Sequence, residues 1–313
     1  MPGGSGYMFK ECVQAAKDGK LSESDIDVSV RRILKLVFAA AEKRQAAACD
    51  YDAHHQIARQ AAEAGAVLLK NEDAILPLQE KARIAIIGHM AQNLRYQGAG
   101  SSHITPTKLS QPLTSFPGAL YAPGCDEQGF TTERMLEEAA KTAKQADVAV
   151  IFAGLPGRYE SEGFDREDLT MPAGHIRMIE TVAAVNPNTV VVLLCGCAVE
   201  CPWADQVKAI LYMGLPGQAG GEAAANLLCG KVNPSGKLAE SWPYRYADVP
   251  SSDTFGKTQD ALYTEGIYVG YRYYEKAGFP VRWPFGFGLS YTTFGYSDLT
   301  VQERTVSVTV TNT

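Results

Sequence analysis

Four short apolar runs, Ile84-Ala85-Ile86-Ile87, Val148-Ala149-Val150-Ile151-Phe152, Val190 to Leu194 and Ala209 to Tyr212, constrain the fold of this chain more than any other feature. Each is flanked by turn residues and is continuously apolar, the pattern of a strand buried on both faces. Between them, residues 132–146, 175–185 and 219–229 read as helices. Strand and helix in alternation predict an α/β fold, a mostly parallel sheet sandwiched by helices. With 313 residues, 46% hydrophobic and 20% charged, the chain is long enough for one sizeable domain plus pieces of others.

The two ends depart from this alternation. Residues 23–42 place Ile26, Val30, Ile33, Leu34 and Val37 at helical spacing, which predicts an amphipathic helix with nothing of its own to bury against. A second helix is predicted over residues 52–70, and Pro77 bars its continuation. After Trp242-Pro243 the periodicity fades into residues 263–294, rich in Tyr, Phe and Gly. That segment reads as a wrapping extension whose aromatic residues bury it against its own domain, with stacking on sugar rings as the alternative. Residues 305–311 (TVSVTVT) alternate strictly, as a half-buried strand does, with no partner strands in view. Both ends therefore read as truncated, and their apolar faces lead us to expect self-association, with a homo-oligomer as one outcome.

Composition removes several functions. A net charge of -6 and the absence of a dense Lys/Arg cluster argue against nucleic acid as a partner. No apolar run approaches the roughly 20 residues that span a bilayer, and MPGGSGYMFK lacks the basic and apolar regions of a secretory leader. No membrane partner is expected. Seven cysteines, odd in number and without framework spacing, point to free thiols and a cytoplasmic location. Cys195, Cys197 and Cys201 lie close enough to raise a metal site. Cys195, however, ends an apolar run, where a thiol serves as a small hydrophobe, and no His or second Cys pair stands at ligand spacing. Neither a metal nor a cofactor is expected.

Ligands of open parallel sheets bind at the carboxyl ends of the strands, so the loops after the strands are the place to search. Only one is dense in ionisable groups, residues 157–168 (GRYESEGFDRED). Its carboxylates could hold one Glu partly protonated for general acid catalysis, and Gly163 leaves room for a substrate beside Glu162. On composition alone a solvated charged loop is the favoured reading, because structural ion pairs perturb pKa values too. The glycine-containing loop 97–103 (QGAGSSH) invites a phosphate cradle, but GxGxxG is absent and Pro106 follows closely. No GxSxG elbow supports serine-type hydrolysis.

Four ordered stretches nevertheless resemble family 3 glycoside hydrolases. They are residues 59–78 (RQAAEAGAVLLKNEDAILPL), 160–172 (ESEGFDREDLTMP), 215–243 (LPGQAGGEAAANLLCGKVNPSGKLAESWP) and 263–294 (YTEGIYVGYRYYEKAGFPVRWPFGFGLSYTTF). The resemblance implies that residues 1–45 are the tail of a TIM-like barrel, 46–293 an α/β sandwich domain and 294–313 the start of a fibronectin type III-like domain. It implies Glu162 as the acid/base, with Glu160 as the alternative because two Glu flank Ser161. Asp165 and Arg166 would organise the loop, and Ser101 would reach sugar hydroxyls. The nucleophile, an Asp in a Ser-Asp-Trp motif that does not occur in this chain, would lie on the barrel, so the barrel domain or chain is an expected partner. The substrate implied is a β-glucoside or oligosaccharide with a terminal non-reducing glucosyl residue. A β-xylosidase or other exo-glycosidase, or a non-catalytic carbohydrate-binding module, remains the alternative, and the chain alone is expected to be inactive.

Overall fold

The structure is a computed structural model that describes residues 6–44, 48–257 and 259–313. The chain divides into two compact units, Met1–Asp50 and Tyr51–Thr313. The first holds two helices, α1 (Gly6–Lys17), which the sequence reading did not anticipate, and α2 (Glu23–Glu42), which it did. Ser22 caps α2 by accepting a hydrogen bond from Ser24 N at 3.1 Å, and Glu23 and Asp25 complement the positive end of the helix dipole. The apolar residues predicted to form its stripe are exposed. The start of the expected barrel remnant, residues 1–5, lies outside the described residues.

The second unit begins with α3 (Tyr51–Gly65) and β1 (Val67–Asn71), followed by β2 (Ile84–Ile87), α4 (His89–Gln92), β3 (Leu120–Ala122) and α5 (Glu133–Lys144). Then come β4 (Val148–Gly154), α6 (Ala173–Ala183), β5 (Thr189–Leu194), β6 (Ala209–Tyr212), α7 (Gly220–Leu228) and α8 (Tyr271–Ala277). Six strands form one sheet in the order β1-β6-β5-β4-β2-β3. All neighbours are parallel except β1, which runs antiparallel to β6 on the edge.

Period-two alternation sends Ile87, Ile151, Val191 and Leu193 to one face, where Leu136 of α5 and Met178 and Ile179 of α6 cover them. Ile86, Val150, Phe152, Val192 and Leu211 point to the other, beneath Ala62 of α3, Met90 of α4 and Leu227 and Leu228 of α7. The α/β architecture with helices on both faces of a mostly parallel sheet is therefore as the alternation required.

Two expectations need correction. The helix expected over residues 52–70 stops at Gly65, and residues 67–71 are a strand. Ala, Leu and Lys favour a helix locally, but pairing with β6 supplies backbone partners and buries Val67, Leu68 and Leu69, and that tertiary gain prevails over propensity. The alternating segment near the C-terminus is not a lone strand. It forms β8 (Thr305–Asn312), paired antiparallel with β7 (Phe294–Gln302). A register irregularity between Ser297 and Thr300, with Asp298 at φ 54, interrupts the alternation of β7 and hides it in the sequence.

The aromatic extension wraps the sheet edge. Leu289 N donates to Leu68 O at 2.8 Å, so the free side of β1 is partly covered. Trp242 N donates to Trp283 O at 2.8 Å, and both indoles are buried in an edge-to-face series with Tyr212. Part of the extension stays in solvent, however: Tyr263 is 93% exposed and Ile267 74%.

Candidate active site

Parallel pairing of β6, β5, β4 and β2 brings their carboxyl ends side by side, so the loops that follow them converge. The β4 loop leaves the sheet against β5: Leu155 N donates to Leu194 O at 3.0 Å. It then runs through a 3-10 turn (Gly157–Tyr159) to the two glutamates.

Glu162 stands at the exposed tip. Phe164 N closes back on Ser161 O at 3.4 Å, and the turn needs a positive φ at Gly163, which is +84°. Its Oε2 accepts a hydrogen bond from Ser101 N at 2.7 Å. Ser101 belongs to a 3-10 turn (Gly100–Ser102) on the β2 loop, which Gln97 braces by accepting from Ile104 N at 3.1 Å and donating to Ile104 O at 3.0 Å. Gly100 must lack a side chain, because a Cβ there would lie 2.6 Å from Glu162 Cβ and 2.8 Å from Oε2. Hydrogen bonding from Ser101, through side chain and backbone, holds the Glu162 carboxyl below the usual glutamate range. Compositional reasoning expected crowded carboxylates to push this group the other way. The observed contact is instead a donor that stabilises the ionised form.

Glu160 has different surroundings. Its side chain is only 13% exposed, and Oε1 accepts from Gly196 N at 2.8 Å and from the Cys197 thiol at 3.2 Å. Arg95, from the β2 loop, donates to Glu160 O at 3.1 Å and places Nη2 4.0 Å from Oε2. Arg166 donates to Cys197 Sγ at 2.9 Å and to the carbonyls of Ala198 and Thr170, both at 3.3 Å. Asp165 is exposed beside it. Asp168 closes the loop by accepting from Thr170 N at 2.8 Å and Thr170 Oγ1 at 2.7 Å. Thus the structure brings Ser101 to Glu162 and ties Arg166 into the loop base, while Glu160 lies beneath the tip.

Two titratable groups near this site carry no sequence signal. Glu240 accepts from Ala198 N at 3.0 Å, and partial burial raises its pKa. It lines a cleft of about 780 Å³ with Gly196, Cys197, Tyr212 and Leu215. His175, buried on α6, donates from Nδ1 to Gly154 O at 2.9 Å, where the β4 loop begins. Burial, the largest influence, lowers its pKa to about 4. Cys197 serves as a hydrogen-bond partner of Glu160 and Arg166, and among the described residues no group of three or more His, Cys, Asp or Glu could hold a metal ion.

The doubly covered sheet thus carries an exposed carboxylate at the tip of one loop, held by the N–H of another. Comparison with known proteins gives the family. Residues 66–271 match the glycosyl hydrolase family 3 C-terminal domain, and the chain belongs to that family. It is 49% identical over 317 residues to thermostable beta-glucosidase B of Acetivibrio thermocellus, covering 98% of this chain and 42% of that protein. It is 43% identical to an exo-alpha-(1->6)-L-arabinopyranosidase of Bifidobacterium breve, covering 98% of this chain and 44% of the relative. The crystal structure of a GH3 beta-glucosidase from Bifidobacterium adolescentis superposes with a TM-score of 0.91 at 43% identity, covering 99% of this chain and 48% of that one. The chain thus spans less than half the length of these relatives.

Proposed function

We propose that this chain is the acid/base-bearing part of an exo-acting retaining β-glucosidase that removes terminal non-reducing β-D-glucosyl residues. The observation that carries the reading is Glu162 at an exposed loop tip, oriented by the Ser101 N–H and with Gly100 leaving the space beside it. In the first step the protonated Glu162 carboxyl gives its proton to the glycosidic oxygen, the C1–O bond breaks, and a carboxylate outside this chain bonds to C1. In the second the Glu162 carboxylate takes a proton from water, whose oxygen displaces the enzyme carboxylate from C1 with net retention. The two carboxyl groups must stand about 5–5.5 Å apart, so Glu162 has to reach over the mouth of a second domain. Residues 1–45 belong with that barrel in this reading, and residues 294–313 open a fibronectin type III-like domain.

Ser101 leaves Glu162 poised as a base, and the acid step requires a raised pKa. A second carboxylate at that separation supplies it through like-charge repulsion. The chain alone is therefore expected to show no turnover. The test is to combine it with a separately expressed family 3 barrel and follow p-nitrophenyl β-D-glucoside hydrolysis by NMR of the released anomer. Turnover with retention, abolished by Glu162→Gln, supports the reading. Full activity of Glu162→Gln, or inverted product, overturns it. Because the Bifidobacterium breve relative is an arabinopyranosidase, the same assay is run with α-L-arabinopyranoside and β-xyloside to establish which glycone is accepted.

A further inference from the structure

We propose that Glu160 is a positioning residue, a carboxylate strut that clamps the three loops after β2, β4 and β5 so that Glu162 meets Ser101. The proposal rests on the role given to Glu162 above.

The geometry separates the two glutamates that flank Ser161. Oε1 of Glu160 already receives two donors, Gly196 N and the Cys197 thiol, both from the β5 loop. The carboxylate lies against that backbone so closely that a Cβ on Gly196 would stand 3.3 Å from Oε1. Arg95 grips the same residue from the β2 loop, through Glu160 O at 3.1 Å and opposite Oε2 at 4.0 Å. It is also packed against the start of the β4 loop, since a Cβ on Gly157 would lie 3.1 Å from Arg95 Nη1. Oε1 is taken by the two β5-loop donors and Oε2 is buried without a hydrogen-bond partner, so this carboxylate is not presented to solvent as Glu162 is.

What the strut holds is the base of the Glu162 turn. On the near side of Glu162 the loop is pinned to Gly196 and Cys197 by Glu160, and on the far side to Cys197 and Ala198 by Arg166. The Cys197 sulfur bridges the two anchors, donating to Glu160 and accepting from Arg166. Its thiol is pushed up to about 11, by burial first and then by Glu160, so it keeps the proton that it donates. Glu162 therefore rides on a short span between two fixed points, while Arg95 ties the β2 loop that carries Ser101 to the same hub. Loss of the strut frees the Glu162 side of the Ser101–Glu162 contact from the β5 loop, while the Arg95 bond to the Glu160 carbonyl keeps the β2 loop attached.

The test is made on the whole chain by carbon-13 carboxyl NMR of labelled glutamate, with the Glu162 signal assigned by Glu162→Gln. In the wild type Glu162 should titrate below the ordinary glutamate range, with the Ser101 amide shift following the same curve. Glu160→Ala and Cys197→Ala should each move that midpoint up into the ordinary range and uncouple the Ser101 amide. Glu160→Gln, which keeps an acceptor for Gly196 N–H, should restore part of the coupling. Amide spectra of β4 and β5 unchanged by the variants show that the fold persists. An unshifted Glu162 midpoint in a folded Glu160→Ala chain overturns the proposal.

A kinetic arm in the reconstituted enzyme separates positioning from proton transfer. Azide should restore turnover of an activated aryl glycoside to Glu162→Ala and not to Glu160→Ala. Glu160→Ala should instead lose about 100-fold in kcat with little change in KM, as expected for a misplaced acid/base. Azide rescue of Glu160→Ala alone would exchange the roles and overturn the strut. If the reconstituted enzyme shows no glycosidase activity, the functional reading fails, while the NMR arm still decides whether Glu160 holds the loops.

Discussion

Acidification should destabilise the fold beneath the candidate site through His175, whose buried ring resists taking up a proton. The imidazole is 1% exposed on α6 and donates from Nδ1 to Gly154 O, at the residue where β4 passes into the Glu160–Glu162 loop. Burial lowers its pKa from 6.5 to about 4. The bond to Gly154 and the charge of Asp126 oppose that shift, and His89 adds slightly to it. The unfolded chain therefore binds a proton at this residue between the two values while the folded chain does not. Stability due to the neutral buried ring is complete above pH 6.5 and is lost as pH falls towards 4. Linkage gives a loss of about 2 kcal/mol at pH 5 relative to pH 7.5, with a limiting slope of about 1.4 kcal/mol per pH unit. The assay is urea unfolding followed by tryptophan fluorescence, which reports on the buried Trp203, Trp242 and Trp283. His175→Asn keeps an N–H near the Nδ1 position and removes the titration. Its stability should be lower at pH 7.5 but fall less steeply between pH 6.5 and 4.5. Parallel curves for variant and wild type would refute the reasoning.

Three further outcomes follow from close contacts. Gly100→Ala places a Cβ against Glu162 at a φ of +81, so the Glu162 titration should move towards ordinary glutamate and reconstituted activity should fall about 10- to 100-fold, with little change in melting temperature. Gly154→Ala drives a Cβ to 1.9 Å from Leu194 O, a backbone atom that cannot move without opening β4 from β5. The loss should be about 3 kcal/mol or more, seen as a lower urea midpoint or as insoluble expression. Trp242→Ala empties a fully buried site between Tyr212 and Trp283 and should cost about 3–5 kcal/mol by urea unfolding.

The sheet was legible because strands buried on both faces have no polar side to confuse their pattern, and 84–87, 148–154, 189–194 and 209–212 all formed where the apolar runs lay. Segments whose structure depends on a distant partner were not. Residues 67–71 look like the end of a helix until β6 lies alongside, β3 has only three residues, and β7 loses its alternation where Asp298 takes a positive φ. The site was legible in the same uneven way. A charged loop could be located, but spacing alone could not rank Glu160 against Glu162, because their difference lies in what the β5 loop offers to Glu160. Glu240 and His175 gave no signal, since one sits in an ordinary-looking segment and the other on the buried side of a helix.

Under the proposed function, the electrostatics of the loop tip give a reason for dividing the two catalytic carboxylates between domains. A single domain that fixes an exposed carboxylate with an N–H donor stabilises its charge, which suits the base step and opposes the acid step. The cost is removed only when a second negative charge approaches to the distance that retaining chemistry requires. Under the proposed function, proton donation by Glu162 would be available only with the partner carboxylate in place, and its own loop would set where the group stands more than when it is protonated. In that reading orientation and pKa come from different parts of the protein, and the proposed hub around Glu160 would secure the orientation.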